Sequence, residues 1–147
     1  MSDKLLIGQA ASRNSGAQSY RGLLAGQKSM SLAKMIYKIT AGFPAEEKFG
    51  LISQLGRAAV SIPSNTAGGQ ARNTTGEFMQ FISHADGSLA QLDTQFTLAI
   101  ELNFTTLIKA QLCMDAIAEL RRMLNGLRRA VTGQSPPTRH SSPVTRQ

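Results

Sequence analysis

Few side chains in this sequence come in the combinations that covalent or metal chemistry requires. There are two histidines and one cysteine. His84 has no Cys, His or carboxylate three or four residues away, so no helical face around it offers a second metal ligand. Metal sites in helical bundles draw carboxylates from several helices and pair them with Glu-x-x-His repeats, which this sequence lacks. Its bland role is a boundary histidine with a local hydrogen bond. Cys113 occupies an apolar-periodic position, where a thiol serves as a small buried hydrophobe. Ser61, Ser64 and Ser88 have no recognisable His and carboxylate companions for a nucleophilic triad. The glycine-bearing stretches "GLLAG" and "AGGQA" are not followed by Lys-Ser/Thr, so no phosphate cradle is indicated. The reading is therefore non-enzymatic: no catalytic residue, no metal, no cofactor and no small-molecule substrate.

Arginine is the exception. "ELRRMLNGLRRAV" sets Arg121 and Arg122 seven residues before Arg128 and Arg129, so each pair repeats along one helical face. Cations near a helix C-terminus favour the negative end of its dipole, which is the structural explanation. The functional one is a strip for phosphate oxygens, onto which guanidinium forks fit. Another stretch, "AAVSIPSNTAGGQARNTTGEF", is preceded by Arg57 and contains Arg72, and both are candidates to join the strip. Aromatic residues do not alternate with these arginines, so stacking on single-stranded bases is not indicated. Net charge is +7, compatible with an RNA or DNA partner.

Apolar periodicity supplies the elements that would hold these residues. Leu32, Ile36, Ile39 and Phe43 form a ladder on a helix over about 20–41, with Leu24 upstream; Gly42 and Pro44 end it. Pro44 with Glu46 and Glu47 suits the start of a second helix, whose stripe includes Phe49, Ile52, Leu55, Ala59 and Ile62. Pro63 then breaks or kinks it, with Ser61 and Ser64 available to the freed carbonyls, and Gly68-Gly69 is the stronger stop. Thr74 and Glu77 have the spacing of a capping box before a third helix that runs to Ile100. Gly87 and Ser88 in its middle would admit a neighbouring backbone. A fourth helix carries Ala110, Cys113, Ile117, Leu120, Leu124, Leu127 and Val131 at alternating threes and fours, with Leu112, Ala116, Met123 and Ala130 as a second row. Short connections between four such helices predict an all-α, antiparallel up-and-down four-helix bundle over 20–133.

Residues 1–19 show no sustained period and read as a flexible segment. Residues 134–147, rich in Pro, Ser and Thr, read as a disordered tail. No apolar run reaches the roughly 20 residues that span a bilayer. One cysteine excludes an internal disulfide, and the expected location is cytoplasmic, without a membrane. Helix four's second row and the breadth of helix two's stripe exceed the needs of one core, which predicts self-association.

Beyond these residue-level readings, "IYKITAGFPAEEKFGLISQLGRAAVSIPSNTAGGQAR", "GEFMQFISHADGSLAQLDTQFTLAIELNF" and "MLNGLRRAV" resemble the four-helix bundle proteins named for reading frames in intervening sequences of 23S ribosomal RNA genes. The resemblance covers about residues 20–131. It implies a bundle whose second helix continues, kinked, through Pro63, and assembly as a homopentameric ring. It also implies a relation to the accessory proteins of diversity-generating retroelements, basic pentamers that bind nucleic acid and a reverse transcriptase. The family has no established enzymatic activity. Ser61, Pro63, Ser64, Asn65, Arg72, Gly87 and Ser88 match its pattern, whereas Gly68 and Gln91 stand where it usually has glutamates. Two functions are thus expected in competition: a nucleic-acid-binding accessory protein, or a protein-interaction scaffold whose basic charge is incidental.

Overall fold

The computed structural model describes residues 2–133, with side chains described from Tyr20 onward. The tail 134–147 and Met1 lie outside the described residues. The chain forms α1 (Ser2–Thr40), a 3-10 turn (Ala45–Glu47), α2 (Leu51–Gln70), α3 (Thr75–Glu101) and α4 (Leu107–Thr132). Each helix packs on the next, and α4 returns to α1; α1 and α3 lie on one diagonal, α2 and α4 on the other. Among the described residues there is no strand, and the architecture is an all-α four-helix bundle. One end gathers the α2–α3 turn and the C-terminus of α4; the other gathers the α1–α2 and α3–α4 connections.

The alternation of threes and fours fixes which faces turn inward. Leu32, Ile36, Leu55, Ile62, Leu89 and Phe96 are all 0 % exposed. Burying such a side chain contributes about 1.5–3 kcal/mol, so this seam dominates the stability of the fold. Ala110, Cys113, Ile117, Leu120, Leu124 and Leu127 of α4 are buried as their spacing predicts, and Val131 is half-buried. Hydroxyls that share the core do not go unpaired: Ser29, Thr40 and Thr66 donate to the carbonyls of Ala25, Ile36 and Ile62.

Caps set the helix ends. Thr74 Oγ1 accepts from the Glu77 amide at 3.2 Å, the Thr half of the expected capping box. Thr106 Oγ1 accepts likewise from the Lys109 amide at 3.2 Å and starts α4. Gly133, with φ 71°, closes α4 in the left-handed region where a side chain is strained. Asn103 adopts φ 61° between α3 and α4, where its short amide side chain tolerates the left-handed conformation.

Several expectations are corrected. α1 begins at Ser2, upstream of the start near Tyr20 that the spacing predicts. Pro44 does not open α2: it precedes the 3-10 turn, and α2 starts after Gly50, whose φ of −105° and ψ of −115° break the path. Phe49, placed on the inner stripe by spacing, falls in that break and is 89 % exposed. Gly68 and Gly69 do not stop α2, which runs through both to Gln70. A Cβ on Gly68 would lie 2.6 Å from the Phe81 ring, so these glycines admit α3 to close approach. That role was expected of Gly87, whose surroundings hold nothing within 4 Å of a Cβ.

Pro63 lies inside α2, which continues through it. Its missing amide leaves the Ala59 carbonyl without its usual helical donor. The side-chain bonds beside it come from Asn65 and Thr66 rather than from Ser64, which is exposed. Asn65 Nδ2 donates to the Ser61 carbonyl at 2.8 Å and to Ser61 Oγ at 2.9 Å. Ser88 Oγ reaches Ser61 Oγ at 2.9 Å, which ties α2 to α3 through a polar chain.

Candidate nucleic-acid interface

The arginines singled out by sequence divide in the fold. Arg128 and Arg129 sit on the last turns of α4, with Arg121 and Arg122 two turns further in. Arg122 is exposed, and Arg121, Arg128 and Arg129 are half-exposed. Arg72 is exposed in the α2–α3 turn, at the same end of the bundle as the C-terminus of α4. Arg57 does not join them. It is exposed partway along α2, the helix diagonal to α4, so the body of the bundle separates it from the arginines of α4, and most of the length of α2 separates it from Arg72.

Two of these guanidiniums have partners on α3. Arg121 Nε lies 3.3 Å from Asp86 Oδ1, an ion pair that is part-exposed on both sides. A contact of this kind is worth about 0–1 kcal/mol and neutralises part of the strip's charge. The Arg72 guanidinium lies over the Phe81 ring, 5.0 Å from its centroid, and that contact orients its planar fork. Gly68 makes this possible, because any side chain there would occupy the ring's place. Arg128 Nε is buried without a hydrogen-bond partner, so part of its guanidinium has been taken out of water. Among the described residues, the ion pairs are Arg121–Asp86 and Lys28–Glu119.

Sequence reasoning passed over Arg21. The Gly22 backbone faces the Gln70 side chain so closely that a methyl group there would overlap it. Arg21 is therefore at the same end as Arg72, and it is exposed. Glu77, in the first turn of α3, is an acid at that end. Nothing in the spacing of Arg21 signals this, since the juxtaposition is made by packing of α1 on α2.

The groups considered for catalysis stay apart. Cys113 is 3 % exposed, and burial pushes its thiol above the ordinary value, which favours the neutral, unreactive form. His84 is exposed on α3. Ser61 Oγ accepts from both Ser88 Oγ and Asn65 Nδ2. Among the described residues, no group of three or more His, Cys, Asp and Glu side chains is arranged to hold a metal ion. No helix among them is long and apolar enough to cross a membrane.

The arrangement can offer phosphate oxygens a set of guanidiniums at one end of a rigid bundle. Comparison with protein families gives one finding: the model described as 23S rRNA-intervening sequence protein matches residues 21–126. Arg121 and Arg122 fall within the matched stretch, and Arg128 and Arg129 lie beyond it. A comparison with curated proteins found no match.

Proposed function

The chain belongs to the 23S rRNA-intervening sequence protein family, and from that premise we propose that it is a non-enzymatic, self-associating accessory protein that binds nucleic-acid phosphates. The observation that carries the reading is the gathering of Arg21, Arg72, Arg128 and Arg129 at one end of the bundle, continued inward by Arg122. Self-association multiplies such an end by the number of copies, which turns a modest local charge into an extended binding surface. Five copies is the number implied by the family resemblance.

The test is the binding of a labelled RNA and a labelled DNA of the same sequence, measured across a range of salt. Each phosphate neutralised adds about −0.9 to the slope of log K against log salt for a duplex and about −0.7 for a single strand. Substitution of Arg122, Arg128 and Arg129 by Gln should flatten that slope by about 2–3 per bound copy and weaken binding at all sequences alike. Arg121→Gln should matter less, because Asp86 already faces that guanidinium. Arg57→Gln should leave binding intact. A wild-type affinity that ignores salt, or a triple variant that binds as wild type does, would overturn the reading.

One rival rests on a specific observation. Arg121 on Asp86 and Arg72 on Phe81 show guanidiniums engaged in holding helices together, as they would be in a scaffold that binds a protein. That function predicts a partner retained through nuclease treatment and high salt.

A further inference from the structure

The stretch "SIPSN", Ser61 to Asn65, takes no part in the arginine-bearing end, yet it puts polar groups into a helix seam. Where Gly68 meets Phe81, the contact between α2 and α3 is apolar. Seven residues along each helix, Ser61 and Ser88 take the equivalent positions, and their hydroxyl oxygens lie 2.9 Å apart. Ser88 is 8 % exposed, and Ser61 and Asn65 are half-buried. Ser61 Oγ accepts from Ser88 Oγ and from Asn65 Nδ2, so both of its lone pairs are used and its own proton has no acceptor in the protein. Reversing the serine contact would only pass the spare proton to Ser88. Polar groups withdrawn from water in a helix seam are seldom left with a donor unspent.

Further donors stand on the solvent side of this polar floor. Arg57 is four residues before Ser61, and Gln91 is three after Ser88. Because Gly68 meets Phe81 and Ser61 meets Ser88, the two helices run antiparallel, and both steps lead toward the same end. Arg57 and Gln91 therefore stand at one level, one turn from the serines, on opposite banks of the seam. His84 is one turn from Ser88 in the other direction. All three are exposed, and none has a hydrogen bond or ion pair among the described residues.

Acids keep away from this place. α2 carries none. Asp86 faces Arg121 on the α4 side of α3, and Asp93, seven residues on, shares that side. Glu101 and Glu77 are about 15 Å and 21 Å from Gln91 along the helix axis, at 1.5 Å per residue. Glu47 turns to Gly50, two turns before Arg57.

We propose that the outer seam between α2 and α3 is a second anion site, separate from the arginine-bearing end, which holds one phosphate-sized oxyanion. The Arg57 guanidinium supplies the charge and a fork that fits two oxygens. The Gln91 amide and the spare serine hydroxyl donate to the others, and His84 adds an imidazole N–H from the next turn. The inventory selects the ligand: a cation would meet no carboxylate here, whereas an oxyanion meets donors from both helices. Inorganic phosphate and a small phosphate monoester share this chemistry.

The test titrates the full chain, at constant ionic strength, with inorganic phosphate and separately with glycerol phosphate, by isothermal titration calorimetry. Tighter binding of one of them identifies the source of the anion. Arg57→Gln removes a charged donor and should weaken binding at least about tenfold. Gln91→Glu sets a carboxylate across from Arg57 and should weaken it as much, while Gln91→Ala, which only deletes a donor, should weaken it less. Both side chains are exposed, so helicity by circular dichroism should be unchanged. Replacement of Arg122, Arg128 and Arg129 by Gln should leave the titration as it is. Failure of both probes to bind, binding that survives Arg57→Gln and Gln91→Glu, or binding lost in the triple variant alone would overturn the site. Nucleic-acid binding fails independently of this result, because it is lost in the triple variant and retained in Arg57→Gln.

Discussion

Gly68 and Gly87 both sit inside helices, and the same substitution to alanine should move stability in opposite directions. In a helix interior, alanine is favoured over glycine by about 0.5–1 kcal/mol, chiefly because glycine loses more backbone freedom on folding. At Gly87 nothing lies within 4 Å of the new methyl, so Gly87→Ala should be stabilising by that amount. At Gly68 the methyl would lie 2.6 Å from Phe81 Cε1 and 2.8 Å from Cδ1. Carbon atoms pack best at about 3.5–4.0 Å, so ring or helix must give way by about 1 Å. Overpacking of this kind costs about 1–3 kcal/mol. The lower half of that range applies here, because the half-buried ring has solvent on one side. Gly68→Ala should therefore be neutral to destabilising by about 1 kcal/mol, and should disturb Arg72 above the ring. Urea unfolding followed by circular dichroism, at one protein concentration, measures both variants. Repeating the pair on a Phe81→Leu background isolates the contact: the penalty at Gly68 should shrink, and the gain at Gly87 should persist. If Gly68→Ala stabilises as much as Gly87→Ala does in the presence of Phe81, the close approach of α3 to α2 at these glycines is wrong.

Other predictions are more local. Cys113 binds its proton more tightly in the folded than in the unfolded chain, so its contribution is fully present below the ordinary thiol value and is lost as pH rises through the folded one. Stability should fall with pH in that alkaline window, and the fall should be shallower in Cys113→Ala; parallel profiles would count against it. Thr74→Ala and Thr106→Ala each remove a side-chain acceptor from a helix start and should cost about 1 kcal/mol in urea unfolding, whereas Thr94→Ala, on the exposed face of α3, should change stability by less than about 0.5 kcal/mol. Ser88→Ala breaks the bond to Ser61 and should cost about 0.5–1.5 kcal/mol, with a smaller effect once Ser61 is also alanine.

The inner faces of α3 and α4 were legible because burial repeats with the helical period, and a long uninterrupted ladder admits one solution. Fold class follows from the same ladders. Where the period was silent or ambiguous, local rules misled. Pro44 followed by two glutamates satisfies every signal of a helix start, yet the backbone at Gly50 turns away and α2 begins later. Gly68-Gly69 satisfies the signal of a helix end, yet α3 packs there, and the two glycines are retained inside α2 to admit aromatic side chains. A glycine's meaning depends on what lies across from it, and that is long-range information. The candidate site shows the same division. The run of arginines on α4 could be read directly, but Asp86, which lies opposite Arg121, is 35 residues away in sequence. Nor does any spacing show that Arg57 is set apart on the diagonal helix.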